Sequence, residues 1–600
     1  MGRDWTQDQR AGKGAGSLCF FGPGGLSIRM IQSNAHRAHL IIAELVRCGV
    51  DEFIIAPGFR SAPLALAAIS HPGTHCTVHF DERGSAFFAL GYGRATRKPC
   101  VWITTSGTAA ANGLPAVVEA SMEHVPMICL TADRPPELRD TAANQTIDQV
   151  HLFGRYPRWF VDLPAPASEQ DGAYIRTTID LAVHRACTGP VHLNCMFREP
   201  LLEEDREEKS IPEMSWSTED RQQTQYSTAG VGTIAPSQRL AQNICEAHRG
   251  LIVVGSIQSP EEGKAIHALA KHLGWPLMAD ISAPVPPKDY MVTFFDLIVR
   301  CKRFTREYSP DVVLHFGGPL VSKKLQQFLS HAHAKTYALI APSSERIDPH
   351  HVLTDRIQSK ITGFCSYLLG EVPQDKSYAA WTETWMRANT LARRTLVSLI
   401  DHKLSEPSVA WMLSRLADHT NWIFGASSMP IRDLQAFLER DTSPRIFANR
   451  GASGIDGTLA TAAGIARGQS GSGTVLLGDL AMLHDLNSLA LLKDCEITVV
   501  VVNNNGGGIF NMLPIALKKE PFEMVLGTPH GMDFRFAAEQ FQIPYTLVDS
   551  CARFQESWRA AAASAGPYLI EVKTDRRENA DLHETIYRRV NEAIEAELLT

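Results

Sequence analysis

Two periods of apolar residues alternate along most of this chain. Short β-branched runs, Glu52-Phe53-Ile54-Ile55-Ala56, Cys100 to Thr104, Met127 to Thr131 and Thr188 to Asn194, have the length of strands, and a further strand is expected near Thr77 to Phe80. Between them the spacing turns helical: Leu40, Ile41, Leu45 and Val46 predict a helix over 35–48, with others over 85–96 and from the Ser106-Gly107-Thr108 turn to about Ala120. Strands alternating with helices of this length imply a doubly wound parallel sheet.

The alternation restarts twice. Gly250 to Gly255 opens a second α/β unit with strands at Pro276–Ala279, Val312–Phe316 and Ala338–Ile340. A helical connector over 378–402 leads to a third unit, which begins near Ser408 and closes with a strand at Tyr568 to Val572 and a helix from His583. The fold expected is α/β, three doubly wound parallel-sheet domains in series. Its boundaries are a disordered leader over 1–29, a first domain over 30–202, a charged linker over 203–230, a central domain over 231–377, the connector to 407 and a last domain over 408–600. This order suits a duplicated scaffold, although no sequence repeat proves one.

The third unit holds the densest chemistry. In Val475 to Phe510 an apolar run ends at Gly478-Asp479, a helix is expected from Leu486 to Leu492, and a second run, Ile497 to Val502, ends at Asn503-Asn504-Asn505-Gly506-Gly507. Parallel sheets bind ligands beyond the carboxyl ends of their strands, where both polar clusters fall. The Asp479 carboxylate, the Asn504 amide oxygen and the Gly506 carbonyl are three hard oxygen ligands, suited to Mg²⁺ or Mn²⁺ whose remaining positions go to phosphate and water. A glycine-rich turn and a helix start help to cradle such an anion. On these residues alone an ordinary buried crossover with a polar loop stays open.

Composition narrows the class. The 600 residues are 44% hydrophobic with a net charge of −7, enough for several cores and without the basic field that nucleic acid requires. The 12 cysteines form no C-x-x-C pair, which speaks against a zinc site or a disulfide scaffold and for a reducing cytoplasm. No apolar run reaches the roughly 20 residues of a membrane span. Leu18 to Phe21 is too short for a signal-peptide core, Asp4 and Asp8 argue against a transit peptide, and Met30 is a second possible start. Histidines 331, 333, 350 and 351 have H-x-H and H-H spacing but no acidic or cysteine partners, so they are expected on a solvated face or loop.

Asp81-Glu82 stands where a strand hands over to a helix, a place where acids usually cap. In company it acquires another meaning. The segments Ala56 to Leu64 (APGFRSAPL), Asp81 to Gly84 (DERG), Thr104 to Ala109 (TTSGTA), Thr131 to Leu138 (TADRPPEL), Ala143 to Gln145 (ANQ) and Asn449 to Gly457 (NRGASGIDG), together with Val475 to Phe510, occur in the order found in thiamine-diphosphate enzymes. The chain resembles that superfamily and, within it, the 2-succinyl-5-enolpyruvyl-6-hydroxy-3-cyclohexene-1-carboxylate synthase (MenD) family. The resemblance runs from about Ile54 to Phe510, and its TADRPPEL and NRGASGIDG segments are the most specific.

That resemblance implies the following. The first domain binds the pyrimidine ring of thiamine diphosphate and the last its diphosphate, with each site built from two subunits of a homodimer or homotetramer. Glu82 is the catalytic acid, bonded to the ring nitrogen N1′. Ile455 lies beneath the cofactor; Gly478, Asp479, Leu480, Asn504, Gly506, Gly507, Ile509 and Phe510 surround it; and Asp479, Asn504 and Gly506 hold the metal. Arg60, Arg134, Lys323, Lys324, Arg432 and Arg450, with Gln145 and Ser428, receive the anionic substrates, a task for which arginine's paired donors suit carboxylates. The implied reaction decarboxylates 2-oxoglutarate and adds the succinyl unit to isochorismate; the alternative is a carboligase with another acceptor. Three positions depart from the pattern: Phe59 replaces a serine beside the arginine, Gly508 replaces a glutamine, and Leu480 stands where the wider superfamily has glycine, as is usual in this branch.

Overall fold

Strands buried on both faces must be apolar throughout, and here they order three parallel sheets. The computed structural model describes residues 33–166, 171–202, 221–227, 230–287, 289–373, 379–415, 420–440 and 444–599. The expected leader and most of the expected linker lie outside these residues. The first sheet contains β1 (Glu52–Ile55), β2 (His75–Val78), β3 (Cys100–Thr104), β4 (Met127–Asp133), β5 (Trp159–Leu163) and β6 (Pro190–Met196) in the order β2-β1-β3-β4-β6-β5. The central sheet contains β7 (Gly250–Val254), β8 (Leu277–Ala279), β9 (Val312–Phe316), β10 (Thr336–Ala341) and β11 (Asp355–Gln358) in the order β11-β10-β9-β7-β8. The last contains β12 (Trp422–Gly425), β13 (Arg445–Phe447), β14 (Gly473–Gly478), β15 (Ile497–Asn503), β16 (Tyr545–Val548) and β17 (Tyr568–Lys573) in the order β13-β12-β14-β15-β17-β16.

Counted from their own first strands, the first and last sheets share one order, 2-1-3-4-6-5. The duplication that the sequence only suggested is therefore present in the topology. Each sheet reverses its winding between its first and third strands, β1/β3 and β12/β14, and such switch points open crevices at the strands' carboxyl ends. Both crevices carry residues singled out above.

Local differences from the sequence reading have local causes. The helix expected from Ser85 begins at Glu82, because the Asp81 carboxylate accepts the Arg83 and Gly84 N–H groups as an N-cap. The strand expected near Thr77–Phe80 lies at His75–Val78, an edge strand with little burial to mark its ends. Residues 108–122 divide into Thr108–Ala111 and Leu114–Met122 at Asn112-Gly113. Leu486–Leu492 is a 3₁₀ turn, and the C-terminal helix starts at Arg576, capped by Asp575. The sequence does not predict the edge strands β5, β11, β13 and β16, nor the interior strand β12.

The first and last domains dock through two helices, Glu82–Thr96 and Thr458–Gly468. They cross with almost no side chain between them: a Cβ on Gly91 would stand 2.0 Å from the Thr461 carbonyl oxygen, and one on Gly464 2.1 Å from that of Phe88. The Asp485 carboxylate accepts the Leu459 and Ala460 N–H groups at the start of the second helix, at 2.7 and 3.0 Å. From the first domain, Glu119 accepts the Gly451 and Ala452 N–H groups at 2.9 and 2.6 Å and so holds the NRGASGIDG loop.

Candidate active site

At the β12/β14 switch point a cavity of about 170 Å³ opens over the ends of β12, β14 and β15. Ser428, Ile455, Gly478, Asp479, Leu480, Asn504, Gly506, Gly507, Ile509 and Phe510 all line it. Asp479 begins the short helix after β14, and its Oδ2 accepts the Gly506 N–H at 2.9 Å, tying the ends of β14 and β15 together. Gly506 has φ +128°, and a Cβ there would lie 1.9 Å from the Gly527 carbonyl oxygen, so the turn admits only glycine. Its own carbonyl accepts the Gly508 N–H at 2.9 Å, which leaves a second lone pair for a ligand.

The donor set fits a metal-bound diphosphate. Asn504 Oδ1 is buried without a hydrogen-bond partner, a costly state unless a ligand completes it. Ser428, which lines the cavity, holds φ +76° and ψ −129°, backbone that a non-glycine residue keeps only where its surroundings enforce it. Among the described residues no three His, Cys, Asp or Glu converge as a metal cluster. Oxygen ligands of mixed type are what this cavity offers.

Several residues in or beside it had no distinguishing sequence signal. Glu406 lines the cavity at the start of the helix Glu406–Arg415, buried, and burial followed by the nearby Asp433 pushes its carboxyl up to about 7. Asp433 also lines the cavity and is bonded to buried His583 at 2.9 Å. The ring of His530 lies 3.2 Å from Asp479 Oδ2, on a loop whose His530 and Gly531 N–H groups are held by the Asn505 side chain. In sequence Glu406 looks like any acid opening a helix, and His530 like any loop histidine.

The equivalent crevice of the first sheet, at β1/β3, gathers cations. Arg60 follows β1, buried, and donates to the Phe197 carbonyl at 3.0 Å and to Glu199 at 2.8 Å. Arg134 follows β4 and donates to Ser106 Oγ and, at 2.8 Å, to the Gln145 carbonyl, while Gln145 Nε2 donates to the Ser106 carbonyl at 3.0 Å. Burial, then the neighbouring Arg60, lowers Arg134 below the usual guanidinium value. The Arg60 charge therefore bears on Arg134, while Arg60 itself is paired with Glu199.

Arg432, Arg450, Lys323 and Lys324 form a looser third group. Arg432 donates back to the Ser428 carbonyl and is lowered by burial and then by Arg450, whose Nη1 is buried without a hydrogen bond. Lys323 and Lys324 open the helix Lys323–His331, the end where positive charge is least favoured; Lys324 is lowered by burial and then by Arg300. A larger cavity of about 860 Å³ lies at the carboxyl ends of the central sheet, between the three domains, and of the residues singled out in the sequence Arg450 and His351 reach it.

Glu82 does not line the 170 Å³ cavity of its own chain. It is the first residue of its helix; Asp81 supplies the cap, and the Glu82 carboxylate makes no hydrogen bond or ion pair among the described residues. Beside it, Arg83 donates to the His484 carbonyl at 2.7 Å, fixing the helix start against the last domain.

Similar proteins carry the same architecture. Residues 36–152 match the family described as thiamine pyrophosphate enzyme, N-terminal TPP binding domain; 211–424 the middle domain of these enzymes; and 428–572 their C-terminal TPP binding domain. The chain is thus a thiamine pyrophosphate enzyme. A 2-succinyl-5-enolpyruvyl-6-hydroxy-3-cyclohexene-1-carboxylate synthase of Rubrobacter xylanophilus is 46% identical over 93% of this chain and 98% of its own, and namesakes in Salinibacter ruber and Chlorobium phaeobacteroides are 43% and 41% identical over 93% and 92% of this chain and 96% and 97% of theirs. The chain belongs to the family of 2-succinyl-5-enolpyruvyl-6-hydroxy-3-cyclohexene-1-carboxylate synthases.

Proposed function

We propose that this enzyme decarboxylates 2-oxoglutarate and transfers the succinyl unit to isochorismate, using thiamine diphosphate with Mg²⁺ or Mn²⁺. The observation that carries the site assignment is the convergence of the Asp479 carboxylate, the orphaned Asn504 Oδ1 and the glycine turn at Gly506-Gly507 on one cavity. In this reading residues 408–600 hold the diphosphate and metal, residues 30–202 the pyrimidine, and 231–377 flank the substrate side.

Bound thiamine diphosphate supplies a nucleophilic carbon and an electron sink for the departing carboxylate. The protein's part is to place and charge the reactants. Glu82 would hold and exchange a proton at the pyrimidine ring nitrogen, Ile455 would pack against the cofactor, and Leu480, Ile509 and Phe510 would exclude water. Arg432 and Arg450, with Ser428, face the 2-oxoglutarate carboxylates; Arg60, Arg134 and Gln145 face isochorismate, with Lys323 and Lys324 closing the substrate side.

A second copy of the chain completes this site. A cavity of 170 Å³ falls short of the roughly 300–1,000 Å³ of sites that enclose a whole ligand. Exposed apolar side chains flank both halves, Phe59, Val78 and Phe80 near Glu82, and Leu517, Met524, Val525 and Phe536 beyond the Gly506 turn, as surfaces that bury each other do. We therefore read the enzyme as a homodimer or homotetramer. Free cysteines throughout the described residues agree with a cytoplasmic setting, and no helix there is long and apolar enough to cross a membrane.

Purified protein supplied with thiamine diphosphate, Mg²⁺, 2-oxoglutarate and isochorismate tests the reading: carbon dioxide release and isochorismate consumption should be equimolar. Carbon dioxide without isochorismate consumption would favour a different acceptor, the reading to which Phe59, 67% exposed beside Arg60, points.

A further inference from the structure

Asn504 is described by what its two amide ends meet. Nδ2 donates to Glu406 Oε1 at 2.8 Å, and Oδ1 is buried with no partner. Thr574, at the end of β17, donates to the same Glu406 oxygen at 3.2 Å. Glu406 itself is 4% exposed, and burying an acid is costly where an apolar side chain would pack as well. The carboxyl oxygen does what an apolar group cannot, because it accepts only from the nitrogen end of the amide. With Nδ2 tethered, Oδ1 is the end left for the cavity, which both residues line. The backbone reserves room for this orientation: a Cβ at Gly508 would lie 2.5 Å from Asn504 Nδ2.

We propose that Glu406 is a positioning residue for the metal site, selecting the Asn504 rotamer in which Oδ1 faces the metal-bound diphosphate. The inference rests on the assignment of Asn504 as a metal ligand and names the residue that makes it one. Groups that orient a ligand in this way act on affinity and geometry at the metal rather than on the reacting atoms. Glu406 and Asn504 come from a helix start and a strand end 98 residues apart, so the contact is a product of the fold.

The test compares Glu406→Leu, Glu406→Gln, Thr574→Val and Asn504→Ala in the full chain, reading thiamine diphosphate affinity in the presence of Mg²⁺ by calorimetry and the electron paramagnetic resonance spectrum of Mn²⁺ bound with the cofactor. Glu406→Leu should weaken affinity by roughly 10–100-fold and change the bound Mn²⁺ spectrum, whereas Glu406→Gln, whose amide oxygen still accepts from Nδ2, should stay within about 3-fold with the parent spectrum. Combining Glu406→Leu with Asn504→Ala should add little to Asn504→Ala alone. Parent-like affinity and spectrum in Glu406→Leu, with Asn504→Ala impaired, would overturn this inference while leaving the site assignment intact; parent-like affinity in Asn504→Ala would overturn the assignment itself. If Glu406→Leu does not fold, Thr574→Val decides: a loss of a few fold with an altered Mn²⁺ spectrum upholds the tether, and an unchanged spectrum refutes it.

Discussion

Asp479 and Gly506, which end neighbouring strands of the last sheet, are joined by a 2.9 Å hydrogen bond from the Gly506 N–H to Asp479 Oδ2. One carboxylate thus shapes the glycine turn and, in the proposed reading, also binds the metal. Asp479→Ala removes both functions. Cofactor affinity measured by calorimetry with Mg²⁺ should fall by at least about 10²-fold, beyond the usual effect of losing an outer-shell partner. Unchanged affinity would contradict the metal role.

Glu82 has the opposite signature, because it does not line the cavity that Asp479, Asn504 and Gly506 share. Glu82→Gln should slow turnover by roughly 10²–10⁴-fold, the usual range for a proton-transfer group, and leave Mg²⁺-cofactor affinity near that of the parent. Steady-state rates and calorimetry on the same preparation separate the two effects.

Arg432 returns its guanidinium to the Ser428 carbonyl beside the cavity. Removing a charge-assisted donor costs roughly 1.5–3 kcal/mol, so Arg432→Ala should raise the KM for 2-oxoglutarate by about 10–10²-fold. The thiamine diphosphate requirement should move much less; an equal shift in both would place Arg432 with the cofactor instead.

The space that a side chain at Gly508 would fill is taken by the Asn504 amide. Gly508→Ala should displace that amide and weaken Mg²⁺-cofactor affinity by several-fold or more while the melting temperature changes little. A parent-like affinity would mean that Asn504 retains its place when the turn carries a side chain.

Asp485 caps the helix that joins the first and last domains, and burial pushes its carboxyl up to about 6 from 3.8. Between these values the native state binds more protons than the unfolded chain, so this group's contribution to stability falls as pH rises through that window. Asp485→Asn does not titrate. The stability of the parent relative to this variant, from urea unfolding, should therefore decrease by up to roughly 3 kcal/mol between pH 4 and pH 7; a flat or rising difference would refute the sign.

Buried parallel strands were legible because nothing but a continuous apolar run can occupy them. β3, β4, β14, β15 and β17 follow such runs closely, and so do the polar clusters at their ends. Most edge strands were not, and neither was buried Trp422–Gly425, a run of only four residues. Trp159–Leu163 is half-buried and Tyr545–Val548 nearly so, and exposure removes the constraint that would mark them. The predicted residues of the last domain were found through motifs written in consecutive residues. Glu406 was missed because its meaning lies in Asn504, 98 residues away, and Glu119 because its carboxylate serves a loop 333 residues further on.

By itself the sequence determined the parallel α/β architecture, the three successive units and the oxygen-bearing residue types at the strand ends of the last one, since each follows from periodicity or from short motifs. Tertiary structure alone decided that the first and last sheets share one winding, that their switch points hold the cations and the oxygen ligands respectively, and that Glu82 stands apart from the cavity of its own chain. The physical reason is range. Burial and turn chemistry act on neighbours in the chain and leave a pattern there, whereas hydrogen bonds between distant segments constrain each partner only after the backbone has brought them together.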